Sequence, residues 1–350
     1  MVRWNRNTVS PIGVHIGTRS VSLAQLTSDG QGRSVHALAT AALPEGVDET
    51  DASQRDAVLA ETLRELLASG GFRGRRAVSC LGPEELFVHN VRLPELPHDE
   101  VKKMVEWETE ERLPYDSKEA EIRFLVAGEV RQDSNRKREV IWMACHRGTL
   151  QRHISVLERA GLEPVAIDAE PCAVVRGLAD ESETARQAFL HIGETATGVV
   201  FTEGTQILFF KYVPQGGVHF DQAIAEHLAL PVSEAARMRR ALAQCASLDL
   251  DNELHRSVAT ALNEPLAQLA QDMELCLRYF KVTFRGRPLE RVLVSGSEAC
   301  PWLVEFFSKR LHVPCELGDP FGRVQASHVA PELTQQRGRW AAPLGLSLKR

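Results

Sequence analysis

Two short segments of this 350-residue chain repeat one order of residue types: VHIGTRSVSL from Val14 and LHIGETATGVV from Leu190. Each runs apolar residue, histidine, isoleucine, glycine, polar turn and new apolar run, which reads as a strand, a tight turn and a returning strand. Two such turns facing each other across a cleft could cradle a polyphosphate. Glycine lets the backbone approach a ligand, and turn amides can aim their N–H groups at phosphate oxygens. Gly17 and Thr18 in the first turn and Gly193 and Thr195 in the second are the candidates, with Gly216-Gly217 and Ser295-Gly296-Ser297 as further turns. His15 and His191 precede the two Ile-Gly pairs. They could ligate a metal or move a proton, but two imidazoles need additional ligands to define a metal site, so none is assigned.

The elements that would position these residues follow from periodicity. A helix is expected over 53–68, where Val58, Leu59, Leu63, Leu66 and Leu67 share a face and Gly70-Gly71 stops it. After a strand near 77–80, residues 86–91 read as a strand. Residues 99–113 read as a charged helix ended by Pro114. A hairpin is expected from the apolar runs 122–128 and 140–144, with RQDSNRKRE (131–139) as a solvent-facing basic tip. A helix ending near Gly161 and a strand over 165–167 follow. An acidic, small-residue linker at 179–185 leads to the second histidine hairpin and a strand over 207–213. A helix after Gly216-Gly217 comes next. The longest amphipathic segment, 257–280, contains Pro265, which kinks it or separates two helices. A strand, turn and helix around 292–307 complete the alternation, which indicates an α/β or α+β protein of two related lobes.

Composition excludes several classes. Lys and Arg number 41 against 47 Asp and Glu, a net charge of −6, which gives no global drive towards nucleic acid or anionic lipid. Seven scattered cysteines, with no CxxC pair, indicate neither a disulfide framework nor a zinc ribbon and point to the cytoplasm. No run approaches the roughly 20 apolar residues of a membrane helix, so membrane association is expected to be indirect, through a partner. Basic clusters at Arg73, Arg75 and Arg76, at 131–138, and at Arg237, Arg239 and Arg240 read as solvated turns and helix faces without the continuous stripe that nucleic-acid binding needs.

The order of these segments resembles the PilM family of type IV pilus assembly proteins, within the actin-like ATPase superfamily. The resemblance rests on both hairpins, Leu93-Pro94 through Trp107-Glu108 to Leu113-Pro114, and Ala160-Gly161-Leu162-Glu163-Pro164 to Asp168. Gly216-Gly217, Glu234-Ala235, the helix ending near Phe280, Pro320-Phe321 and Pro343-Leu344-Gly345-Leu346 extend it over nearly the whole chain. It implies an α/β, actin-like (ribonuclease H-like) two-lobed fold with inserted subdomains. Residues 10–81 and 161–185 would form the first lobe, and 82–160 an inserted partner-binding subdomain. Residues 186–212 and 257–335 would form the second lobe, 213–256 its inserted subdomain, and 336–350 a segment returning to the first lobe. It further implies ATP between the lobes and a PilN-like bitopic membrane protein whose cytoplasmic tail docks on the inserted subdomain, alongside other pilus or secretion platform proteins. Trp107, Glu108 and Glu111 are the partner-binding candidates, an aromatic anchor with an acidic rim; Trp107 could equally anchor its own subdomain.

The departures from the family pattern shape the functional expectation. Where the family has Asp before each Ile-Gly, this chain has His15 and His191. Imidazole offers nitrogen where Mg²⁺ wants hard oxygen. Ser295-Gly296-Ser297-Glu298 stands in place of a Gly-Gly turn, and Asp221 in place of a Thr, adding negative charge near the presumed phosphates. The cleft is therefore read as a degenerate nucleotide site, with no catalytic residues, no cofactor expected, ATP possible and Mg²⁺ poorly supported. The expected function is that of a cytoplasmic scaffold of a type IV pilus or type II secretion-like inner-membrane platform, without efficient ATP hydrolysis. Two alternatives stand beside it: an ATP-binding PilM-like protein with slow Mg-dependent hydrolysis, and a soluble nucleotide-responsive enzyme unrelated to pili.

Overall fold

The structure, a computed structural model, describes residues 8–29, 32–44, 46–47, 51–132, 135–180, 184–285, 288–326 and 329–349. In chain order the strands are β1 (Thr8–Val9), β2 (Ile12–Ile16), β3 (Ser20–Asp29), β4 (Gly32–Ala42), β5 (Arg76–Leu81), β6 (Phe87–Pro94), β7 (Ala120–Gln132) and β8 (Asn135–His146). They continue with β9 (Glu163–Ala169), β10 (Arg186–Ile192), β11 (Thr197–Glu203), β12 (Gln206–Val213), β13 (Arg291–Ser295) and β14 (Cys315–Leu317). The helices are α1 (Ala52–Ser69), α2 (His98–Arg112), α3 (Arg147–Arg159), α4 (Glu170–Leu178), α5 (Gly217–Leu228), α6 (Val232–Leu242), α7 (Glu253–Thr283), α8 (Pro301–Leu311), α9 (Pro331–Thr334) and α10 (Ala341–Ser347).

The repeat seen in the sequence is a repeat in topology. The first sheet runs β4-β3-β2-β5-β9, with β1 added to β3. The second runs β12-β11-β10-β13-β14. In each, the central strand pairs antiparallel with the strand that follows it and parallel with the one beyond. The near-continuous burial of β10 and β11 fits strands covered on both faces. His15 and His191 each sit one residue before the end of their central strand, at the same topological position.

α1 is capped by Asp51, whose side chain accepts from the Gln54 amide, and ends at Gly70, as its spacing predicts. α3 packs on α1, and its Val156 and Leu157 join the core beneath the first sheet with Leu59, Leu63 and Ile12. β6, β8 and β7 form a separate three-stranded sheet on which α2 lays Val101 and Val105. β7 and β8 pair as far as Gln132 and Asn135, so the expected nine-residue basic tip is mostly ladder; 133–134 of it lie outside the described residues, as do 181–183 of the expected linker. Glu139, expected at that solvent-facing tip, is fully buried, paired with Arg92 and accepting from the Tyr279 hydroxyl. α7 is one 31-residue helix with Pro265 inside it. Of the two expectations for Pro265, the separation into two helices is absent, because the buried stripe Leu262, Leu266, Leu269, Met273, Leu277 and Phe280 packs on the second sheet. That packing outweighs the roughly 3 kcal/mol cost of an interior proline.

The chain end closes the first sheet. α10 crosses α4 at glycine contacts so close that a Cβ on Gly345 would stand 1.8 Å from the Ala173 carbonyl oxygen, and one on Gly177 2.1 Å from that of Ala341. Both obstacles are backbone, so no side chain can yield. Gly345→Ala is expected to destabilise the protein by about 1–3 kcal/mol or more, read as a lowered denaturation midpoint with unchanged slope, whereas Gly322→Ala, with nothing within 4 Å of its added Cβ, is expected to stay near wild type.

Candidate functional site

The ends of the two central strands face each other across a cavity of about 340 Å³. His15 and His191 meet there edge to face, ring centroids 6.4 Å apart. Between them stands Glu170, the first residue of α4, delivered by β9 of the first sheet. Its Oε1 lies 2.9 Å from His15 Nε2 and 3.8 Å from His191 Nε2, while its Oε2 accepts a hydrogen bond from the Tyr212 hydroxyl at 3.2 Å. His191 Nδ1 pairs with Ser295 Oγ at 3.0 Å. Burial alone would raise the Glu170 carboxyl, but the His15 hydrogen bond, the charges of both histidines and the Tyr212 hydroxyl outweigh it and hold it below the usual carboxylate range. Burial pushes His191 down to about 4, so at neutral pH its ring is uncharged.

Four donors of the two turns are held by carboxylates of the protein. Glu194, in the second turn, accepts from the Arg19 amide at 2.5 Å and the Ser20 hydroxyl at 2.9 Å of the first. Its burial raises its carboxyl despite these bonds. Glu84 Oε1 accepts from Thr18 Oγ1 at 2.8 Å and Thr195 Oγ1 at 3.1 Å, tying the two turns together. At the start of α5, the Gly217 and Val218 amides donate to the Gly193 and Glu194 carbonyls. Added Cβ atoms would strike the Gly193 carbonyl oxygen from Gly216 at 2.6 Å and the Glu298 carboxylate carbon from Gly217 at 2.7 Å. Gly296, at φ +104°, donates to the Gly338 carbonyl of the chain end.

The sequence model of the family "Type IV pilus assembly protein PilM" matches residues 13–350. The chain belongs to the PilM family. Among solved structures it is similar to a PilM–PilN type IV pilus biogenesis complex, at 23% identity and a TM-score of 0.79, covering 97% of this chain and 98% of the other. It is similar also to the ethanolamine utilization protein EutJ of Carboxydothermus hydrogenoformans, at 17% identity and TM-score 0.57, covering 99% and 92%. MreB5 of Spiroplasma citri bound to ADP follows at 10% identity and TM-score 0.52, covering 95% and 94%. These likenesses establish the actin-like fold. No helix among the described residues is long and apolar enough to cross a membrane.

For a PilM family member, then, the expected site residues divide. His15, Gly17, Thr18, His191, Gly193, Thr195 and Ser297 line one cavity; Gly216, Gly217, Asp221, Ser295 and Gly296 do not. Asp221 is fully buried and held by Arg19 and Arg239, each at 2.7 Å, and Arg239 also holds Glu298 at 2.5 Å. This corrects two expectations. Arg239 is a buried ion-pair centre rather than part of a solvated face, and Asp221 presents no unbalanced charge to the cleft. Trp107 is 54% exposed and does not anchor its subdomain, because α2 buries Val101, Val105 and Thr109 instead; Glu108 pairs with Arg112 on the same helix. Glu170, Glu194 and Glu84 were not read from the sequence. A glutamate opening a helix after a strand, Asp168-Ala169-Glu170-Pro171, was the available signal for the first.

A second grouping lies beside the same cavity, which His153 and Glu85 line. Ser79 Oγ is 2.9 Å from His153 Nε2, and Glu85 lies 3.7 Å from His153 Nδ1, the order of a hydrolase triad. Ser79 is fully buried and gives its proton to the Val14 carbonyl, so the histidine does not activate it. The nucleotide implied by the fold would meet the same donors. Two imidazoles and one carboxylate do not match the oxygen octahedron of Mg²⁺, and phosphate oxygens would have to displace Glu194 and Glu84. The residues present do not fit a magnesium nucleotide.

An unfolded histidine protonates below about pH 6.5, whereas buried His191 stays neutral to about 4. The unfolded chain thus binds the extra proton in that window, and stability, full above pH 7, falls as the pH drops; the lowered Glu170 carboxyl adds to the loss below its unfolded value. On the order of 3 kcal/mol is expected to disappear by pH 4. Urea denaturation at stepped pH checks this, with His191→Gln expected to flatten the slope.

Proposed function

We propose that this PilM family protein is a cytoplasmic scaffold of a type IV pilus or secretion-like inner-membrane platform, which binds the cytoplasmic tail of a PilN-like bitopic membrane protein and does not hydrolyse ATP efficiently. The observation that carries this reading is the carboxylate-bridged cleft: Glu194 and Glu84 accept from the Arg19 amide and the Ser20, Thr18 and Thr195 hydroxyls, four donors that would otherwise be open to a polyphosphate. Phosphoryl transfer depends on a metal and positioned donors to spread negative charge, and here carboxylates hold those donors. Family membership over residues 13–350 replaces the alternative of an enzyme unrelated to pili. Partner binding is supported by the solved PilM–PilN complex to which the chain is similar and by α2, whose exposed Trp107 stands among Glu106, Glu108, Glu110 and Glu111. An aromatic side chain inside a charged rim suits a peptide anchor, and proximity to the membrane then comes through the partner.

Calorimetric titration with MgATP tests the nucleotide half. The native chain and His15→Asp/His191→Asp are expected to give no saturable heat at millimolar MgATP. Adding Glu194→Ala to the double variant is expected to restore it, because ligands and donors are then both available. Saturable heat and phosphate release in the native chain would count against the reading.

The tail half is read by fluorescence-polarisation titration with a synthetic cytoplasmic tail of the PilN-like protein. Trp107→Ala is expected to weaken binding by about 2 kcal/mol, the cost typical of an anchor side chain, with unchanged thermal stability. Equal affinity for the native and Trp107→Ala proteins would remove Trp107 from the interface.

A further inference from the structure

We infer that His15, Glu170 and His191 form a binding site for one borderline divalent metal ion of the Zn²⁺ class, which pins the two sheets of the fold together. The site is the one place among the described residues where three His, Cys, Asp or Glu side chains bring single ligand atoms within 4.8 Å of one another. Donors around a tetrahedral zinc stand about 3.3 Å apart, given bonds near 2.0–2.1 Å. The observed separations from Glu170 Oε1, 2.9 Å to His15 Nε2 and 3.8 Å to His191 Nε2, bracket that value. The second is too long for a hydrogen bond, so His191 Nε2 is aimed at the shared oxygen without being bonded to it.

The outer contacts orient the inner atoms. Ser295 Oγ on His191 Nδ1 directs Nε2 into the cluster, and the Tyr212 hydroxyl on Oε2 leaves Oε1 to face both imidazoles. Such outer partners fix the tautomer and rotamer of metal ligands. Imidazole nitrogen disfavours Mg²⁺ and suits Zn²⁺, so histidine at both strand ends selects the metal class. A fourth position opens on the cavity shared with Glu194 and Ser297, where water completes the shell. The three ligands come from β2, α4 and β10, so binding links the first sheet and its following helix to the second sheet. This inference does not depend on whether a PilN-like tail binds.

The full chain, stripped with chelator, is titrated with Zn²⁺ by calorimetry and with Co²⁺ by visible absorption. One equivalent of Zn²⁺ is expected to bind and to raise the melting temperature. Co²⁺ is expected to give the intense d–d band of a four- or five-coordinate nitrogen and oxygen site, bleached by Zn²⁺. Glu170→Gln and His15→Ala are each expected to weaken Zn²⁺ at least about 100-fold, since even outer-shell changes cost 10–100-fold. His146→Ala, which breaks the exposed His146–Glu119 pair, is expected to leave affinity unchanged. Should Glu170→Gln fail to fold by circular dichroism, the partly exposed His15 carries the comparison. The inference is overturned if the native chain shows no saturable Zn²⁺ binding, if binding survives both variants, or if equimolar Mg²⁺ displaces Zn²⁺.

Discussion

Two acidic side chains of the protein bridge the two turns of this cleft. The Arg19 amide and Ser20 hydroxyl of one turn are held by Glu194 of the other, and Thr18 and Thr195 share Glu84. Two of these bonds are part-buried and two are exposed, and together they tie the turn of one sheet to the turn of the other. The same geometry that would receive a phosphate closes on a carboxylate, because both present oxygens to N–H and O–H donors. Arg19 serves twice: its amide on Glu194 and its guanidinium on Asp221, which Arg239 shares with Glu298. The first hairpin is thereby tied to α5, α6 and the turn after β13.

The duplicated topology explains why two histidines far apart in sequence converge. Each lies one residue before the end of the central strand of its sheet, and the two sheets follow one strand order. Any pair of residues at these positions will face each other when the lobes close, whatever their chemistry. Close backbone approach fixes the first of these strands against the chain end. Beyond Gly177 and Gly345, a Cβ on Gly13 would meet the Pro343 carbonyl oxygen at 2.0 Å, so α10 sits directly on the histidine-bearing strand. A cluster of Val78, Phe189, Val200, Phe210, Ala173 and Leu346 fills the space between the sheets.

Much of this was legible in the sequence. Periodicity placed α1, α2, α3, α5, α7 and α8 but neither α4, which carries Glu170, nor α6, and the paired His-Ile-Gly segments announced both the duplicated lobes and the convergence of His15 with His191. What was hidden depends on tertiary pairing. Glu139 reads as one charge in a polar stretch until Arg92 and Tyr279, from other elements, bury it. Arg239 reads as part of a basic helix face, Arg237 to Arg240, until Asp221 and Glu298 meet it. Pro265 signals a helix break that only the packing of its neighbours overrules. Glu194 and Glu84 could not be told from ordinary turn acids, since their partners lie 175 and 66 residues away along the chain. Local pattern gives the strand ends; which carboxylate fills the gap between them is a property of the closed fold.

Histidine at both strand ends also sets what closure requires. An aspartate at both strand ends would set three carboxylates, with Glu170, in one small buried space. Like charges at such range cannot all ionise without a cation or bound protons, so lobe closure would be coupled to whatever supplied positive charge. With imidazoles flanking Glu170, one of them held neutral near pH 7 by burial, the cluster carries a single carboxylate bonded to His15 and Tyr212. Further along the cleft, Asp221 and Glu298 are offset within the chain by Arg19 and Arg239. An anionic ligand drawn to the strand ends would add to the charge of Glu170, whereas a cation there would meet one carboxylate between two imidazoles.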